Sequence, residues 1–529
     1  MRWILFIAAL PIIAWRCAGA GATEPPRPNI VLIMADDMGF SDIGCYGSEI
    51  RTPNLDTLSQ QGIRFTRFYN NAWCSPTRAS LMTGLYPHQV GMAGLAWPKT
   101  GPQGPFQGYL NNRCVTLAEV LKEAGYHTAM AGKWHLGEHR PYWPVDRGFD
   151  TYFGLISGAS NYFDITNDKS PKAIRTMAQD SQRYQPPREG FYMTDAITDY
   201  ACKVIGQQRE AAEPFFLYVA YTAPHWPLHA LPEDIARYAG KYNTGWDSLR
   251  LRRYRKLQEL GIISASTQLS PRDSAVSAWA DLPASQRNEM AQKMAVYAAQ
   301  VDRMDQGIGR ILRQLAASGN TENTIVIFLS DNGGCAEGGP QGFDNRENGF
   351  PPGGDSSYMS YGQSWANASN TPFRYFKKDL LEGGISTPLI VRWPAAITPE
   401  RNGQVLEQVG HVTDIMPTLC AATGARYPAQ YKGRQILPTE GQSLLPAIQQ
   451  GKALPHQPIY WSLGNHKAVM ADGYKLASSG TGKPWQLYNL EKDRTELDNR
   501  AASLPQQATT MQQLWEKWAE RTGANMQKQ

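Results

Sequence analysis

Four short apolar runs lie far apart in the chain and end the same way. NIVLIMADD stops on Asp36 and Asp37, YHTAMAGKWH on Lys133 and His135, PFFLYVAYTAPH on His225, and NTIVIFLSDNGG on Asp331 and Asn332. Short continuous apolar runs separated by helical stretches read as central strands of a largely parallel sheet covered on both faces. Such sheets bind ligands in the crevice outside the carboxyl ends of their strands. Four runs that each deliver a reactive side chain at that end predict one converging site.

The covering helices are legible too. CVTLAEVLKEAGY pairs Thr116 with Glu119 in a capping box and closes on Gly125. Between Asn288 and Leu315, the residues Met290, Met294, Tyr297, Val301, Met304, Ile308 and Leu312 recur in steps of three and four, a core-facing stripe. Residues 230–285, rich in Arg, Tyr and Trp, read as an insertion walling the site. Beyond about residue 425, PIYWSL, KAVMADGYKLA and WQLYNL read as antiparallel strands with a hairpin at Asp472-Gly473. A terminal amphipathic helix follows from Pro505 to Arg521. A chain of 529 residues has room for two domains. The expected division is an α/β catalytic domain over 23–425, with a large mixed, mostly parallel sheet sandwiched by helices, and a smaller C-terminal α+β domain over 426–529 on an antiparallel sheet.

Residues 1–22 read as an export signal: Arg2, an apolar stretch from Trp3 to Trp15, and small residues at 18–22, with cleavage after Ala20 or Ala22. That stretch is too short to span a bilayer comfortably, and no later one approaches the length. The expectation is a soluble exported protein of a bacterial periplasm. Arg16 directly before Cys17 argues against lipid anchoring. The formal net charge is +5, of which Arg2 and Arg16 belong to the leader, leaving +3 and no basic stripe. A nucleic-acid partner is not expected. The six cysteines beyond the leader, at 45, 74, 114, 202, 335 and 420, make neither a dense disulfide framework nor a CxxC metal site. Room remains for one disulfide, whose pairing the spacing does not reveal.

At the strand ends, Asp36, Asp37, Asp331 and Asn332 offer hard oxygens of the kind that hold Ca²⁺ or Mg²⁺, with no His or Cys cluster to draw a softer metal. Taken one at a time, such pairs are also common strand-capping turn residues. Arg78, Lys133, His135 and His225 supply cations and donors that would stabilise an oxyanion opposite a metal. Cys74 and Ser75 precede Pro76, a favoured first helical residue, which would place the thiol at a helix N-terminus suited to anions.

Cys74-Ser75-Pro76-Thr77-Arg78 fits the C-x-P-x-R signature of the type I sulfatases. The resemblance extends through LMTGLYPHQVG, AMAGKWHLGEH, SDNGG, LLEGGISTPLIVRWP and the tail QLYNLEKDRTELDN, and so covers nearly all of the mature chain. In detail the chain resembles the bacterial arylsulfatase branch of the alkaline phosphatase superfamily. The resemblance implies that Cys74 is oxidised before folding to formylglycine by a transient maturation enzyme. One oxygen of the hydrated aldehyde then attacks sulfur, the alcohol departs, and the second hydroxyl expels sulfate from the sulfo-enzyme. It further implies one Ca²⁺ held by Asp36, Asp37, Asp331, Asn332 and modified Cys74, with Asp331 accepting the diol proton. Arg78 and Lys133 would steady the hydrate and the sulfate, and His135 would take the second proton. His225 and Lys377 would contact the ester and protonate the departing oxygen. The family lysine lies five residues before the acid of EGG, Glu382, which selects Lys377 over Lys378.

The expected substrate is an aryl sulfate or a sulfated carbohydrate. Two other readings compete: a phosphonate monoester or phosphodiester hydrolase of the same superfamily, and a non-catalytic exported glycan-binding protein. Loops at 95–112, 157–185, 226–285 and 336–370 are expected to set specificity. CAEGGPQGFDNRENGFPPGG reads as a long surface loop. Beside it, Tyr358, Tyr361 and Trp365 are placed to stack on a substrate ring. His229 is a second candidate for the substrate entrance, whereas His88 and His411 read as structural histidines.

Overall fold

The apolar runs pair as the sequence predicts, but in an order that threads the chain back and forth. The computed structural model describes residues 27–96, 104–167, 175–209, 211–455 and 457–526, so the leader expected at 1–22, with Cys17, lies outside the described residues. In chain order the main sheet contains β1 (Asn29–Ala35), β2 (Ile63–Tyr69), β3 (His127–Gly132), β4 (Thr151–Leu155), β5 (Met177–Gln179) and β6 (Gln182–Tyr184). It is completed by β7 (Phe215–Ala220), β8 (Thr324–Ser330), β9 (Ser386–Arg392) and β10 (Val405–His411). Their spatial order is β10-β2-β9-β8-β1-β7-β3-β4-β5-β6. β8, β1, β7, β3 and β4 run parallel as neighbours, and β9 runs against both β8 and β2.

Alternate residues of β1 fall into different cores. Val31 and Ile33 join one cluster with Ile197, Met294 and Met304; Ile30, Leu32 and Met34 join the other with Leu81, Leu117 and Leu419. A strand buried on both faces has no polar side to show, which is why its sequence carries no alternation. The first face is covered by the helices Met193–Gln207 and Ala284–Ala317, the second by Cys74–Thr83, Leu117–Glu123 and Ile415–Thr423. The long helix buries the expected stripe except Leu312, which is only partly covered. The capping box forms: Glu119 N donates to Thr116 Oγ1 at 3.1 Å and Thr116 N to Glu119 Oε2 at 2.7 Å.

Past the main sheet come a hairpin, β11 (Gln430–Tyr431) and β12 (Arg434–Gln435), and then a four-stranded antiparallel sheet. The latter comprises β13 (Ile459–Leu463), β14 (His466–Ala471), β15 (Tyr474–Ser479) and β16 (Gln486–Asn489). Asp472 and Gly473, both at positive φ, make its central turn. One face packs Val469, Leu476 and Leu487 against Met511, Trp515 and Trp518 of the helix Pro505–Thr522. The other packs Trp461, Met470 and Tyr488 against Leu380, Leu381 and Ile385, which lead into β9. The small sheet thus braces the segment that enters the large one.

Three expectations need correction. The helix of the pentapeptide opens at Cys74 itself, two residues ahead of Pro76, with Trp73 as its N-cap. All six cysteines of the described residues are free, so the one disulfide does not form among them. Part of the 336–370 loop is interior: Tyr358 and Trp365 are fully buried, and Trp365 Nε1 donates to Met290 O at 2.7 Å. No helix of the described residues is long and apolar enough to cross a membrane.

Candidate functional site

Because β8, β1, β7 and β3 are neighbours, their carboxyl ends deliver Asp331 and Asn332, Asp36 and Asp37, His225, and Lys133 and His135 side by side. The ladder runs on briefly past them: Asp331 N donates to Ala35 O at 3.2 Å and Lys133 N to Ala220 O at 2.8 Å. β2 delivers the helix that starts at Cys74. Lys377 arrives differently, ahead of β9, whose reversed direction puts its beginning at this edge. The DNGG and EGG glycines make that approach feasible. Gly333 N bonds Gly384 O at 3.1 Å, and a Cβ on Gly333 would lie 1.9 Å from Gly383 O. Only bare backbones can press this closely.

Every residue expected at the site is buried, Lys377 at 7% being the most exposed. Arg78 ties the parts together. Its Nε and Nη2 donate to Asp331 Oδ2 at 3.1 and 2.8 Å, its Nη1 donates to Lys133 O at 3.1 Å, and its Nη2 lies 3.5 Å from Asp36 Oδ1. Lys133 Nζ donates to Asp36 Oδ2 at 2.6 Å, and Lys377 Nζ to Asp37 Oδ2 at 2.8 Å. Asn332 Nδ2 donates to Asp37 Oδ1 at 2.7 Å. Asp37 and His135 both hold positive φ, at 64° and 57°. Such strain in non-glycine residues clusters at functional sites.

Burial and charge set the protonation states. Burial, reinforced by Lys133, Arg78 and Lys377, holds His135 well below its ordinary value, so its imidazole is neutral and able to accept a proton. Burial also lowers His225, to about 4, against the pull of Asp37. Its Nδ1 lies 2.6 Å from Trp226 O, which can only accept, so Nδ1 carries the proton and Nε2 presents a lone pair. That lone pair faces Lys377 Nζ at 3.4 Å. Burial pushes Asp331 up to about 7, with Asp36 adding to the push. It also raises the Cys74 thiol, the wrong direction for a thiolate nucleophile. Lys133, Lys377, Asp36 and Asp331 all act on that thiol, and the next residue, Ser75, donates from Oγ to His135 O at 3.0 Å.

Two of the site's oxygens have no hydrogen-bond partner, Asp36 Oδ1 and Asn332 Oδ1, and both are buried. His135 Nδ1 is in the same state. A buried polar atom left unsatisfied costs on the order of 1–3 kcal/mol, a cost that a cation bound at the two oxygens would relieve; Arg78 Nη2 at 3.5 Å is the cation already facing Asp36 Oδ1. Hard oxygens from the ends of β1 and β8 fit a hard divalent cation. Among the described residues, Asp36, Asp37 and His225 contribute ligating atoms that all lie within 4.8 Å of one another. Asp331 is instead engaged by Arg78 and accepts from Asp37 N at 3.1 Å.

Other candidates lie elsewhere. Lys378 is half-exposed and bridges Glu337 at 2.5 Å, outside the cluster. His229 is fully buried, with Nε2 2.8 Å from Ser357 O, and is no entrance residue. Tyr361 stacks on Tyr297 in the core. Among the aromatic rings of the described residues that stay partly exposed beside the site are Trp73, under the Lys378 ammonium, and Trp226, whose Nε1 donates to Glu337 Oε2 at 2.9 Å. Sequence reading passed over both, although each adjoins a site residue. His88 and His411 are buried and held neutral, as structural histidines are.

The profile described as Sulfatase matches residues 28–425, and one described as N-sulphoglucosamine sulphohydrolase, C-terminal, matches 372–523. An arylsulfatase of Klebsiella aerogenes is 36% identical over 441 residues, covering 80% of this chain and 93% of its own. An uncharacterized sulfatase of Schizosaccharomyces pombe is 33% identical over 537 residues, covering 94% and 95%. Among solved structures, Ps i-CgsB in complex with k-i-k-neocarrahexaose superposes with a TM-score of 0.70 at 26% identity, covering 95% of this chain and 94% of that one.

Proposed function

The chain belongs to the sulfatase family and hydrolyses sulfate esters, and we propose that it does so at the Cys74 cluster after Cys74 has been oxidised to formylglycine. The observation that carries this reading is the Arg78 fork. Four residues beyond Cys74 on one helix, it grips Asp331 and the Lys133 carbonyl and reaches Asp36, which supports a modified side chain at position 74 facing the oxygen cluster. The substrate class proposed is an aryl sulfate or a sulfated carbohydrate. It is supported by likeness to the Klebsiella arylsulfatase and to a structure holding a neocarrahexaose.

Asp36, Asp37, Asp331, Asn332 and the oxidised Cys74 would hold one Ca²⁺, which would supply Lewis-acid polarisation of the sulfate oxygens. The hydrated aldehyde at position 74 would supply a hydroxyl nucleophile, weak unless a base takes its proton. Asp331 is that base, its carboxyl oriented by Arg78. Lys133 and Arg78 hold the ester's anionic oxygens. Lys377 carries a proton at Nζ toward the leaving oxygen, with His225 Nε2 beside it as the relay partner. His135, neutral, takes the proton released when sulfate departs. Residues 23–425 carry this chemistry, and 426–529 brace the segment that brings Lys377. Residues 1–22 direct export, to the periplasm in a bacterial host, with a cytosolic maturation enzyme acting first.

The test is the protein co-produced with a formylglycine-generating enzyme, with the Cys74 peptide weighed and sulfate release followed on nitrophenyl sulfate and sulfated sugars. An aldehyde at position 74 with sulfate release is expected. An aldehyde-bearing enzyme that releases no sulfate, or whose kcat/KM is higher on a matched phosphodiester, would overturn the proposal.

A further inference from the structure

The loop that leaves His135 also forms one wall of a second cavity of about 560 Å³, in which neither Cys74 nor the oxygen cluster takes part. Leu136 O accepts from Leu110 N at 3.3 Å, and Gly137 is pressed against Tyr142 and Tyr109. Those two tyrosines stack with ring centroids 4.1 Å apart and stay partly exposed on the cavity wall. Four cations share the lining: Arg113, Arg147, Lys432 and Arg434.

The carboxylates on that wall are already engaged. Glu119 holds Arg147 at 3.2 Å, and Asp146 holds Arg140 at 2.6 Å. No carboxylate of the described residues pairs with Arg113, Lys432 or Arg434. Lys432 and Arg434 come from the tip of the β11–β12 hairpin, where Lys432 and Gly433 both have positive φ, and Arg113 comes from the chain before the helix Leu117–Glu123. Three cations without a carboxylate partner, two from the hairpin and one from the chain before the helix, line one polar cavity beside an aromatic platform; Lys432 and Arg434 also lie over the Tyr431 ring, at 5.0 and 6.0 Å from its centroid. Arg113 and Lys432 are exposed and Arg434 partly so, which leaves water and salt to screen them and a polyanion free to take that place.

We propose that this cavity is a second binding site, for a polyanionic carbohydrate chain. Arg113, Lys432 and Arg434 would contact its sulfate or carboxylate groups, and the Tyr109–Tyr142 pair would pack against a sugar ring. Cations recognise the charge and aromatic faces recognise the apolar face of the ring. The choice of glycan as the carrier of that charge rests on the sulfatase reading; the cavity, cations and tyrosines do not. The site would hold a polymeric substrate near the His135 loop while one sulfate group at a time enters the Cys74 cluster.

The test uses the full chain on native gels containing dextran sulfate, uncharged dextran or single-stranded DNA. Dextran sulfate should retard the protein and uncharged dextran should not. In the variant Arg113→Ala/Lys432→Ala/Arg434→Ala, affinity for dextran sulfate should fall by about tenfold and its salt dependence should flatten, as expected when charge contacts are removed. The charge-preserving variant Arg113→Lys/Arg434→Lys should keep binding, and Tyr142→Ala should weaken it without changing the salt dependence. In all of these, kcat/KM on nitrophenyl sulfate should stay within twofold of the parent. Equal retardation of parent and triple variant would overturn the proposal, as would stronger binding of DNA than of dextran sulfate. A preparation that binds dextran sulfate through these cations yet releases no sulfate would uphold the cavity and count against the catalytic reading, so the two fail separately.

Discussion

Two clusters of fully buried charge sit within one fold and solve opposite problems. At the strand ends, Asp36, Asp37 and Asp331 face Arg78, Lys133 and Lys377. Where the small sheet meets the large one, Glu382 and Glu496 face Lys475 and Arg494, with Lys475 Nζ 3.3 Å from Glu382 Oε1 and 2.8 Å from Glu496 Oε1. Tyr69 OH, Ser386 Oγ and the Thr66 carbonyl close the second cluster on every side. Both balance their formal charges, so charge count does not separate them. Unsatisfied neutral capacity does. The first leaves Asn332 Oδ1 and His135 Nδ1 with neither a hydrogen bond nor an ion pair, whereas no such atom is left in the second among the described residues. Asp36 Oδ1 in the first cluster and Glu496 Oε1 in the second each lack a hydrogen bond but face a cation, Arg78 at 3.5 Å and Lys475 at 2.8 Å. A buried ionic cluster that serves structure is saturated from within; one that serves chemistry keeps capacity for something that is not protein.

The widest separation should come from the pair Cys74→Ala and Lys475→Ala. Cys74→Ala should lower sulfate release by on the order of 10⁴-fold or more, as loss of a nucleophile does, while the thermal midpoint hardly moves. Lys475→Ala strands two buried carboxylates and should cost about 3–5 kcal/mol of stability, read by urea unfolding, with activity retained at temperatures where the variant is folded. A Lys475→Ala chain that keeps its stability but loses turnover would erase the distinction.

The next effect concerns the unsatisfied oxygens. Chelation should lower both activity and thermal midpoint of the mature enzyme, and Ca²⁺ should restore both, because a ligand that binds only the folded state stabilises it. In Asp36→Asn and Asn332→Ala the Ca²⁺-dependent rise in midpoint should shrink or vanish, with activity down by roughly 10²-fold, in keeping with loss of a major electrostatic contact. Isothermal titration against Ca²⁺ checks the same point without turnover. Unchanged Ca²⁺ affinity in both variants would remove the cation from the first cluster.

How much of this contrast the sequence carries depends on the range of the interactions. The four strand ends were readable because each break from apolar to polar is local, and parallel neighbours must present those breaks at one edge. Lys377 was not readable that way, since it enters ahead of a reversed strand; only its spacing from Glu382 in a known motif identified it. Tyr358, Tyr361 and Trp365 misled because a Gly- and Pro-rich neighbourhood signals a surface loop. Contacts with the distant helix Ala284–Ala317 decide otherwise for Tyr361 and Trp365, and Tyr358 packs against Trp226 and His229. The second cluster was not legible as a cluster: Glu382 lies in the EGG motif, Arg494 and Glu496 lie in the tail QLYNLEKDRTELDN, and nothing about either motif or Lys475 announces that they meet. Glu382, useful as a spacing landmark, turns out to be the hub of that brace.

The smallest effect tests whether the brace holds its charges at a cost. Burial pushes Glu496 up to about 7, with Glu382 adding to the push and Lys475 opposing it. Its unfolded carboxyl titrates at the ordinary value of 4.5, so between these two values the folded state binds more proton than the unfolded one. Stability from this group is therefore complete below about pH 4.5 and declines as pH rises toward 7. Glu496→Gln keeps an oxygen for the Glu382 amide but has nothing to ionise. The drop in unfolding free energy between pH 5 and pH 8 should be smaller in this variant than in the parent, by on the order of 1–2 kcal/mol, measured by urea denaturation at the two pH values. An identical drop in both would mean that Lys475 holds Glu496 ionised throughout, and the brace would then be two settled ion pairs with no proton to release.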